Sequence, residues 1–258
     1  MSSKPEKIKK VSDQRDWKMN LLVYGEPKVG KTVFCSTAMG LGPTLLLTCE
    51  RGTASIRDTD VDVWELESME ELNEAYNWLA DTKHEYKTVC LDSLTELQRL
   101  IAEDVLAGSD TPSMREWGII RERIIRVVRY FRDLDCHTIF TALPALTKDE
   151  KIVAPDLVGK LKREIAAFFD EVGYMFVSHT RQADVILKEE ETSNDLEGGE
   201  LRRLILFAAH PDFIAGDRGG RLDRVESPNF TKIVKKTFGT GVKRKPKAKP
   251  KTKRRKTK

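Results

Sequence analysis

The sequence lacks the features that mark membrane, secreted and zinc-binding proteins. None of its apolar runs reaches the length that a membrane-spanning helix requires. The first ten residues are rich in lysine, and no apolar stretch follows them, which is unlike a secretory signal. The four cysteines, Cys35, Cys49, Cys90 and Cys136, have no C-x-x-C spacing. We therefore expect a cytoplasmic protein with buried free thiols and no membrane partner.

Acidic residues are absent from residues 243–258, which contain eleven lysines or arginines. The whole chain has 45 basic and 41 acidic residues, so 34 basic residues remain elsewhere and give a net charge near −7. Residues 241–258 also have few apolar side chains, which predicts a disordered basic tail. Such an arm is typical of contact with nucleic acid or an acidic partner, although a solubilising tail has the same composition.

One segment that is present, residues 25–32, has a specific pattern. It reads Gly25-Glu26-Pro27-Lys28-Val29-Gly30-Lys31-Thr32 and fits G-x-x-x-x-G-K-[ST], the phosphate-binding loop of nucleoside triphosphatases. The apolar residues before it predict a strand and residues 31–39 predict a helix, which is the setting that supports the motif. Backbone N–H groups would then bind phosphate, and we expect this loop, together with Val33, to hold ATP. Lys31 would reach the β- and γ-phosphates, and the Thr32 hydroxyl would ligate Mg²⁺.

Apolar runs alternate with helical patterns along the rest of the chain. Further strands are predicted at residues 44–49, 61–64, 88–91, 137–143, 172–177, 183–187 and 201–209. Helices are predicted to end near residues 79, 134 and 169, and one more begins after Ser93. We expect residues 144–160 to form a loop and residues 189–200 a hairpin loop. The alternation indicates an α/β fold, a mostly parallel sheet with helices on both faces.

A second motif, residues 88–93, is an apolar strand that ends in an acid, Asp92. A carboxylate at the end of a buried strand is costly unless it meets a cation. Mg²⁺ held by Thr32 and Asp92 would provide that cation, although many strands end in an aspartate that caps a helix. Glu50 ends the strand that follows the phosphate loop's helix, and it is the best candidate to orient and deprotonate water. The alternative for Glu50 is a surface acid paired with Arg51 or Arg57.

These residues resemble the RecA-like core of P-loop ATPases, over about residues 18–237. The phosphate loop, Glu50 and the run Leu91-Asp92-Ser93 carry the resemblance. Shorter matches follow in order: Trp117-Gly118, Pro155-Asp156-Leu157 with Gly159, Asp217-Arg218-Gly219-Gly220-Arg221-Leu222 and Pro228-Asn229-Phe230. Within that core, the chain is similar to short phage nucleotide-binding ATPases that act in single-strand annealing and recombination. We therefore expect a flexible segment at 1–17, the ATPase domain at 18–240 and the disordered tail at 241–258.

The resemblance implies an Mg²⁺-dependent ATPase that binds single-stranded DNA and promotes strand annealing or exchange. It implies DNA contact by residues 107–116 and 144–160, and the second loop contains Lys148, Lys151 and Lys160 for phosphate contacts. That loop lacks an aromatic residue on which a base would stack. The resemblance also implies a homo-oligomeric ring or filament, in which Arg218 completes the nucleotide site of the next subunit. Arg221 is the second candidate for this role. The alternative is that Arg218 is an arginine of a turn, paired with Asp217 or Asp223.

The sequence departs from the RecA pattern at Leu143, which stands where RecA has a glutamine that senses the γ-phosphate. Thr141 is then the candidate that couples ATP to DNA. The basic tail would add DNA affinity or bind a single-strand-binding protein, and a phage-encoded chain would act in the cytoplasm of its bacterial host. Two other functions stay open. A helicase-related motor or loader would unwind DNA directionally, and a nucleotide-binding regulator with little hydrolysis would not respond to DNA.

Overall fold

A computed structural model of the chain describes residues 17–50, 52–108, 111–147, 152–179, 181–187 and 201–239. Most of the segment predicted at 1–17, the loop predicted at 189–200 and the tail predicted at 241–258 lie outside these ranges. Lys148 and Lys151 also lie outside them. Within the described ranges, no helix combines the length and the apolar character needed to cross a membrane.

Strands and helices alternate along the described chain. The strands are β1 (Asn20–Gly25), β2 (Thr44–Thr48), β3 (Asp62–Glu65), β4 (Thr88–Asp92), β5 (His137–Ala142), β6 (Pro144–Leu146), β7 (Val153–Pro155), β8 (Glu171–Val177), β9 (Arg203–Leu206), β10 (Gly216–Asp217) and β11 (Val225–Glu226). The α-helices are α1 (Lys31–Ser36), α2 (Met69–Asp81), α3 (Leu94–Leu106), α4 (Met114–Arg132), α5 (Leu161–Glu164), α6 (Arg181–Ile186) and α7 (Phe230–Phe238). Short 3₁₀ turns occupy Thr37–Leu41, Thr53–Ile56 and Ile165–Phe168.

The main sheet of the described residues has the strand order β11-β9-β8-β1-β5-β4-β2-β3, and β10 pairs with β8. The strands from β8 to β3 in that order are parallel to one another. The strands β9 and β10 pair with β8 in the antiparallel direction, and β11 pairs with β9 in the same way. Parallel strands place their carboxyl ends at one edge, so β1, β2, β4 and β5 all end where a ligand is expected to bind.

Alternate residues of β1 face two different parts of the core, as the pleat of a strand requires. Leu22 and Tyr24 face the larger hydrophobic cluster, to which α2, α3 and α4 contribute buried side chains. Leu21 and Val23 face a second cluster, which contains Phe34 of α1 and Phe230 of α7. Helices therefore cover both faces of a mostly parallel sheet, which confirms the predicted α/β architecture.

Two segments differ from the sequence prediction. Residues 183–187 were expected to form a strand, but Arg181–Ile186 is helix α6, in which Ala183 and Ile186 are buried. A spacing of three residues places those two side chains on one face of a helix, so the apolar run fits helical burial better than strand alternation. The predicted loop at 144–160 contains the antiparallel pair β6 and β7, in which Ala145 is the partner of Ala154.

Candidate nucleotide-binding site

A cleft of about 760 Å³ opens at the carboxyl edge of the sheet. The phosphate loop forms one wall, and the ends of β2 and β4 contribute Glu50 and Asp92. Other residues that line it are Val33, Phe34, Thr48, Ser93, Glu96, Arg99, Leu143, Met175 and Arg203. The cleft thus brings together the loop, the acid of the second motif and the candidate base, which lie far apart in the sequence.

The two glycines of the loop meet specific steric demands. Gly25 ends β1 beside β8, where a Cβ atom would lie only 2.3 Å from the backbone oxygen of Met175. Gly30 has a φ of 108°, in the left-handed region that favours glycine. Helix α1 begins at the next residue, so the chain passes from strand to helix through this turn and directs the helix N-terminus toward the loop.

The Lys31 side chain lies within the phosphate loop and is only 8% exposed. Its Nζ atom donates hydrogen bonds to the backbone oxygens of Gly25, at 2.7 Å, and Glu26, at 3.0 Å. Burial lowers the pKa of Lys31, whereas the negative charges of Asp92 and Glu50 act in the opposite direction. The ammonium is therefore held inside the loop by carbonyl oxygens, close to the carboxylates of the cleft.

Asp92 accepts two hydrogen bonds from threonine hydroxyls. Thr32 Oγ1 donates to Asp92 Oδ2 at 2.6 Å, and Thr141 Oγ1 donates to Asp92 Oδ1. The cap of α3 is the neighbouring Ser93, whose Oγ accepts from the backbone N–H of Glu96 at 3.3 Å. Asp92 is thus not the helix cap that the sequence left open as an alternative.

The hydroxyl of Thr32 and the carboxylate of Asp92 fit a magnesium site of the nucleotide type. Among the described residues, no group of three or more His, Cys, Asp or Glu is arranged to hold a metal ion. Magnesium in nucleotide sites is typically bound by one or two protein groups, and substrate phosphates and waters complete the octahedron. Two adjacent oxygen ligands beside a phosphate loop meet that requirement.

Glu50 follows β2 and faces the cleft with an exposed side chain. Its backbone N–H donates to Thr48 Oγ1 at 3.1 Å, and the Thr48 hydroxyl donates to the backbone oxygen of Glu50 at 2.8 Å. The chain therefore turns tightly here. Partial burial, then Glu96 and Asp92, raise the pKa of Glu50, while Lys31 and Arg99 oppose the shift. Arg57 pairs with Asp58 and not with Glu50, and Arg51 lies outside the described residues.

The other predicted site residues lie away from this cleft. Arg218 donates to Asp170 Oδ1 at 3.0 Å and to the Ala167 oxygen at 3.3 Å, beside the amino end of β8. That edge is opposite the phosphate loop, so Arg218 does not reach the nucleotide of its own chain, and its role in a neighbouring subunit stays a prediction. Arg221 donates to the Thr237 oxygen at 2.8 Å. Lys160 is exposed just before α5.

Three charged residues of the cleft were missed from the sequence. Glu96 and Arg99 form an ion pair of 2.7 Å on α3, and Arg203 enters from β9. Glu96 and Arg99 lie within about two helical turns of Asp92 and are three residues apart, so the sequence could have predicted that they lie near the site. The position of Arg203 could not be predicted from nearby residues, because only the order of strands in the sheet brings β9 close to β1.

The site lies within the range of one family match. The model of the AAA domain family matches residues 17–219, which include the phosphate loop, Glu50 and Asp92. A solved structure that resembles the chain is a KaiC-like protein from the hyperthermophilic archaeon Pyrococcus horikoshii OT3, with 15% identity and a TM-score of 0.43. That similarity covers 73% of this chain and 78% of the archaeal chain. No curated protein matches the sequence.

Proposed function

Because the chain belongs to the AAA domain family of P-loop nucleoside triphosphatases, we propose that it hydrolyses ATP with Mg²⁺ and couples this reaction to single-stranded DNA. The observation that carries the ATPase part of the proposal is the 2.6 Å contact between Thr32 and Asp92 beside Lys31. It joins a phosphate-binding loop to an acid on another strand, which is the arrangement that binds a metal-bound triphosphate.

Binding of ATP begins with the phosphate loop. Lys31 exchanges its contacts with the backbone oxygens of Gly25 and Glu26 for contacts with phosphate oxygens. The phosphate oxygens are negatively charged, whereas the backbone oxygens are neutral, so the new hydrogen bonds are stronger. Thr32 and Asp92 would hold a magnesium ion, which when bound would supply positive charge beside the phosphates. Thr141 keeps the Asp92 carboxylate in its orientation through the second hydrogen bond.

Glu50 serves as the group that orients and deprotonates the attacking water. It lines the same cleft as Lys31 and Asp92, and partial burial, followed by the charges of nearby acids, raises its pKa toward the range useful for a general base. A base must be ionised to accept a proton, and Lys31 and Arg99 favour that ionised form. The acid thus has neighbours of both signs that tune its proton affinity.

Coupling to DNA is proposed to run through β5. This strand contains Thr141, which contacts Asp92, and it leads directly into the β6–β7 hairpin. The hairpin base is tied to α3, because the Leu143 N–H donates to Thr95 Oγ1 at 3.0 Å and the Val158 N–H donates to Gln98 Oε1 at 2.6 Å. A shift at Asp92 would therefore move both supports of the hairpin.

The proposed ligand of this hairpin is the phosphate backbone of single-stranded DNA. Lys148 and Lys151 lie between β6 and β7 in the sequence, and Lys160 follows shortly after. Contacts of this kind give affinity without base specificity, as strand annealing or exchange requires. We propose that the protein acts as a homo-oligomer in phage-type recombination, with Arg218 completing a neighbour's site and the basic tail adding DNA affinity or binding a single-strand-binding protein.

The test is ATP hydrolysis by the purified protein, with and without single-stranded DNA, and with Mg²⁺ present or chelated. Lys31→Ala should abolish hydrolysis, with a rate lower by about 100-fold or more. Lys83→Ala is the control, since Lys83 is an exposed lysine that does not line the cleft. The proposal expects Mg²⁺-dependent hydrolysis that DNA stimulates.

Three results would overturn parts of the proposal. Directional, ATP-dependent unwinding of a duplex would identify a motor or loader instead of an annealing protein. Tight nucleotide binding with negligible turnover would identify a regulator. Turnover that DNA does not change, together with no DNA binding at moderate salt, would remove DNA from the proposal. A chain that ends at Val242 checks the tail, because loss of its charges should weaken DNA binding and reduce the salt dependence.

A further inference from the structure

Arg203 lies over the phosphate loop, although it belongs to a strand two positions away from β1 in the sheet. A methyl group on the Cα atom of Gly30 would lie 3.2 Å from Arg203 Cδ and 3.3 Å from Arg203 Nε. The side chain also lines the nucleotide cleft. The end of the Arg203 side chain therefore lies beside the loop that is proposed to bind phosphates.

The backbone fixes this position. Arg203 is paired with Val177 in the antiparallel β8–β9 ladder. Beside it, the Ser178 N–H donates to the Arg202 backbone oxygen at 2.7 Å, and the Arg202 N–H donates to Ser178 Oγ at 2.8 Å. On the next strand, Met175 is paired with Gly25 at the start of the loop. Two adjacent ladders thus hold Arg203 at a constant distance from the phosphate loop.

The face of β9 also follows from its pattern. Ile205 is buried in the cluster that contains Phe34 of α1, and Arg203 is two residues earlier, so it projects on the same side. Arg202 projects on the other side and does not line the cleft. Two neighbouring arginines therefore differ in whether they face the nucleotide.

The cationic side chains Arg99 and Lys31 of the cleft already have partners, whereas Arg203 is available to bind an anion. Arg99 is paired with Glu96, and Lys31 is bonded to loop carbonyls. No side-chain hydrogen bond or ion pair of Arg203 occurs within the described part of the chain. A guanidinium has five N–H donors in a planar fork that matches the geometry of phosphate oxygens.

We propose that Arg203 binds the phosphate chain of the nucleotide held by its own subunit. This inference rests on the proposed nucleotide site and adds a residue that acts within one chain, in contrast to Arg218. It also connects the β8–β9 pair to the nucleotide. A charge-assisted contact of this kind contributes affinity for both ADP and ATP, because both carry phosphates next to the loop.

The experiment compares dissociation constants for ADP and ATP in five proteins by equilibrium dialysis with Mg²⁺: wild type, Arg203→Ala, Arg203→Lys, Arg202→Ala and Lys31→Ala. Arg203→Ala should weaken binding by about 10- to 100-fold. Arg203→Lys should recover part of the loss, since a lysine keeps the charge but not the fork. Arg202→Ala should bind as wild type does, and thermal unfolding of each variant confirms that the fold is kept.

The outcomes separate this inference from the proposed function. Wild-type protein that binds no nucleotide, or that binds it equally well after Lys31→Ala, contradicts the nucleotide site itself. Binding that Lys31→Ala weakens but Arg203→Ala leaves unchanged overturns the role of Arg203 alone. Equal losses in Arg203→Ala and Arg202→Ala would also overturn it, because they indicate a general effect of surface charge.

Discussion

Thr32 Oγ1 lies 2.6 Å from Asp92 Oδ2, although the two residues are 60 positions apart in the sequence. Thr32 lies in the first turn of α1, just after β1, and Asp92 ends β4, with β5 between β1 and β4 in the sheet. Thr141 of β5 donates to the other oxygen of the same carboxylate. Helix α1 and the strands β4 and β5 thus meet at Asp92, and the hydrogen bond from β5 helps to fix the orientation of the carboxylate.

Thr141→Val should therefore weaken the apparent affinity for Mg²⁺. The substitution keeps the shape of the side chain but removes the donor to Asp92, and loss of such an outer partner typically costs about 10- to 100-fold in metal affinity. The measurement is the ATP hydrolysis rate as a function of Mg²⁺ concentration. Thr138→Val is the control, because Thr138 is buried on the same strand but donates to Asn20, at 2.7 Å. An unchanged Mg²⁺ midpoint in Thr141→Val would contradict the prediction.

Glu50→Gln should remove turnover and keep nucleotide binding. The amide has nearly the same shape but accepts no proton, so we expect a loss of about 100-fold or more in the hydrolysis rate. The dissociation constant for ATP should change little, because Lys31 and the loop hold the phosphates. Both quantities are measured on the same preparation, with Glu103→Gln on the exposed part of α3 as the control. If the variant keeps the wild-type rate, Glu50 is not the base.

Glu96→Gln should shift the acidic limb of the pH–rate profile to lower pH. Burial is the largest cause of the raised pKa of Glu50, and the negative charge of Glu96 is the second. The positive charge of Arg99 lowers that pKa. Removing the Glu96 charge also frees Arg99 from its ion pair, so both changes lower the pKa of Glu50. Ionised Glu50 then persists at lower pH, and the rate should fall later on acidification. A limb that stays in place, or moves to higher pH, would show that the limb reports another group.

The sequence was sufficient for the parts of this site that rest on local patterns. Apolar strands followed at once by Gly25, Glu50 or Asp92 place those residues at one edge, because parallel strands share their carboxyl ends. The prediction of a strand at residues 183–187 was wrong, since so short an apolar run shows a helical spacing only when its buried residues, Ala183 and Ile186, are known. The position of Arg203 depends on the pairing of β8 with both β1 and β9, which is a property of the whole sheet and leaves no mark in nearby residues.

The last prediction concerns Glu171, which is only 1% exposed at the start of β8. Burial, followed by the nearby Asp217, raises the pKa of Glu171 from its ordinary value of 4.5 to about 9. Its Oε2 atom has no hydrogen-bond partner among the described residues. At neutral pH the folded protein thus keeps a proton on Glu171 that the unfolded chain releases.

The sign of the resulting pH dependence follows from proton binding. Between pH 4.5 and about 9 the folded state holds one more proton at Glu171 than the unfolded state, so its contribution to stability is full at low pH and decreases as the pH rises. Glu171→Gln is neutral at every pH and removes this contribution to the slope. The variant should therefore gain stability relative to wild type as the pH is raised from 5 to 9.

Thermal unfolding across that pH range measures the difference in Tm between the two proteins. The exposed Glu74→Gln on α2 is the control, and its difference from wild type should be nearly constant with pH. The glutamine amide keeps a donor toward Asp217, whose carboxylate already accepts from the backbone N–H groups of Gly220 and Leu222, both at 2.7 Å. A Tm difference that does not grow with pH would mean that Glu171 is ionised in the folded protein, against the effect of its burial.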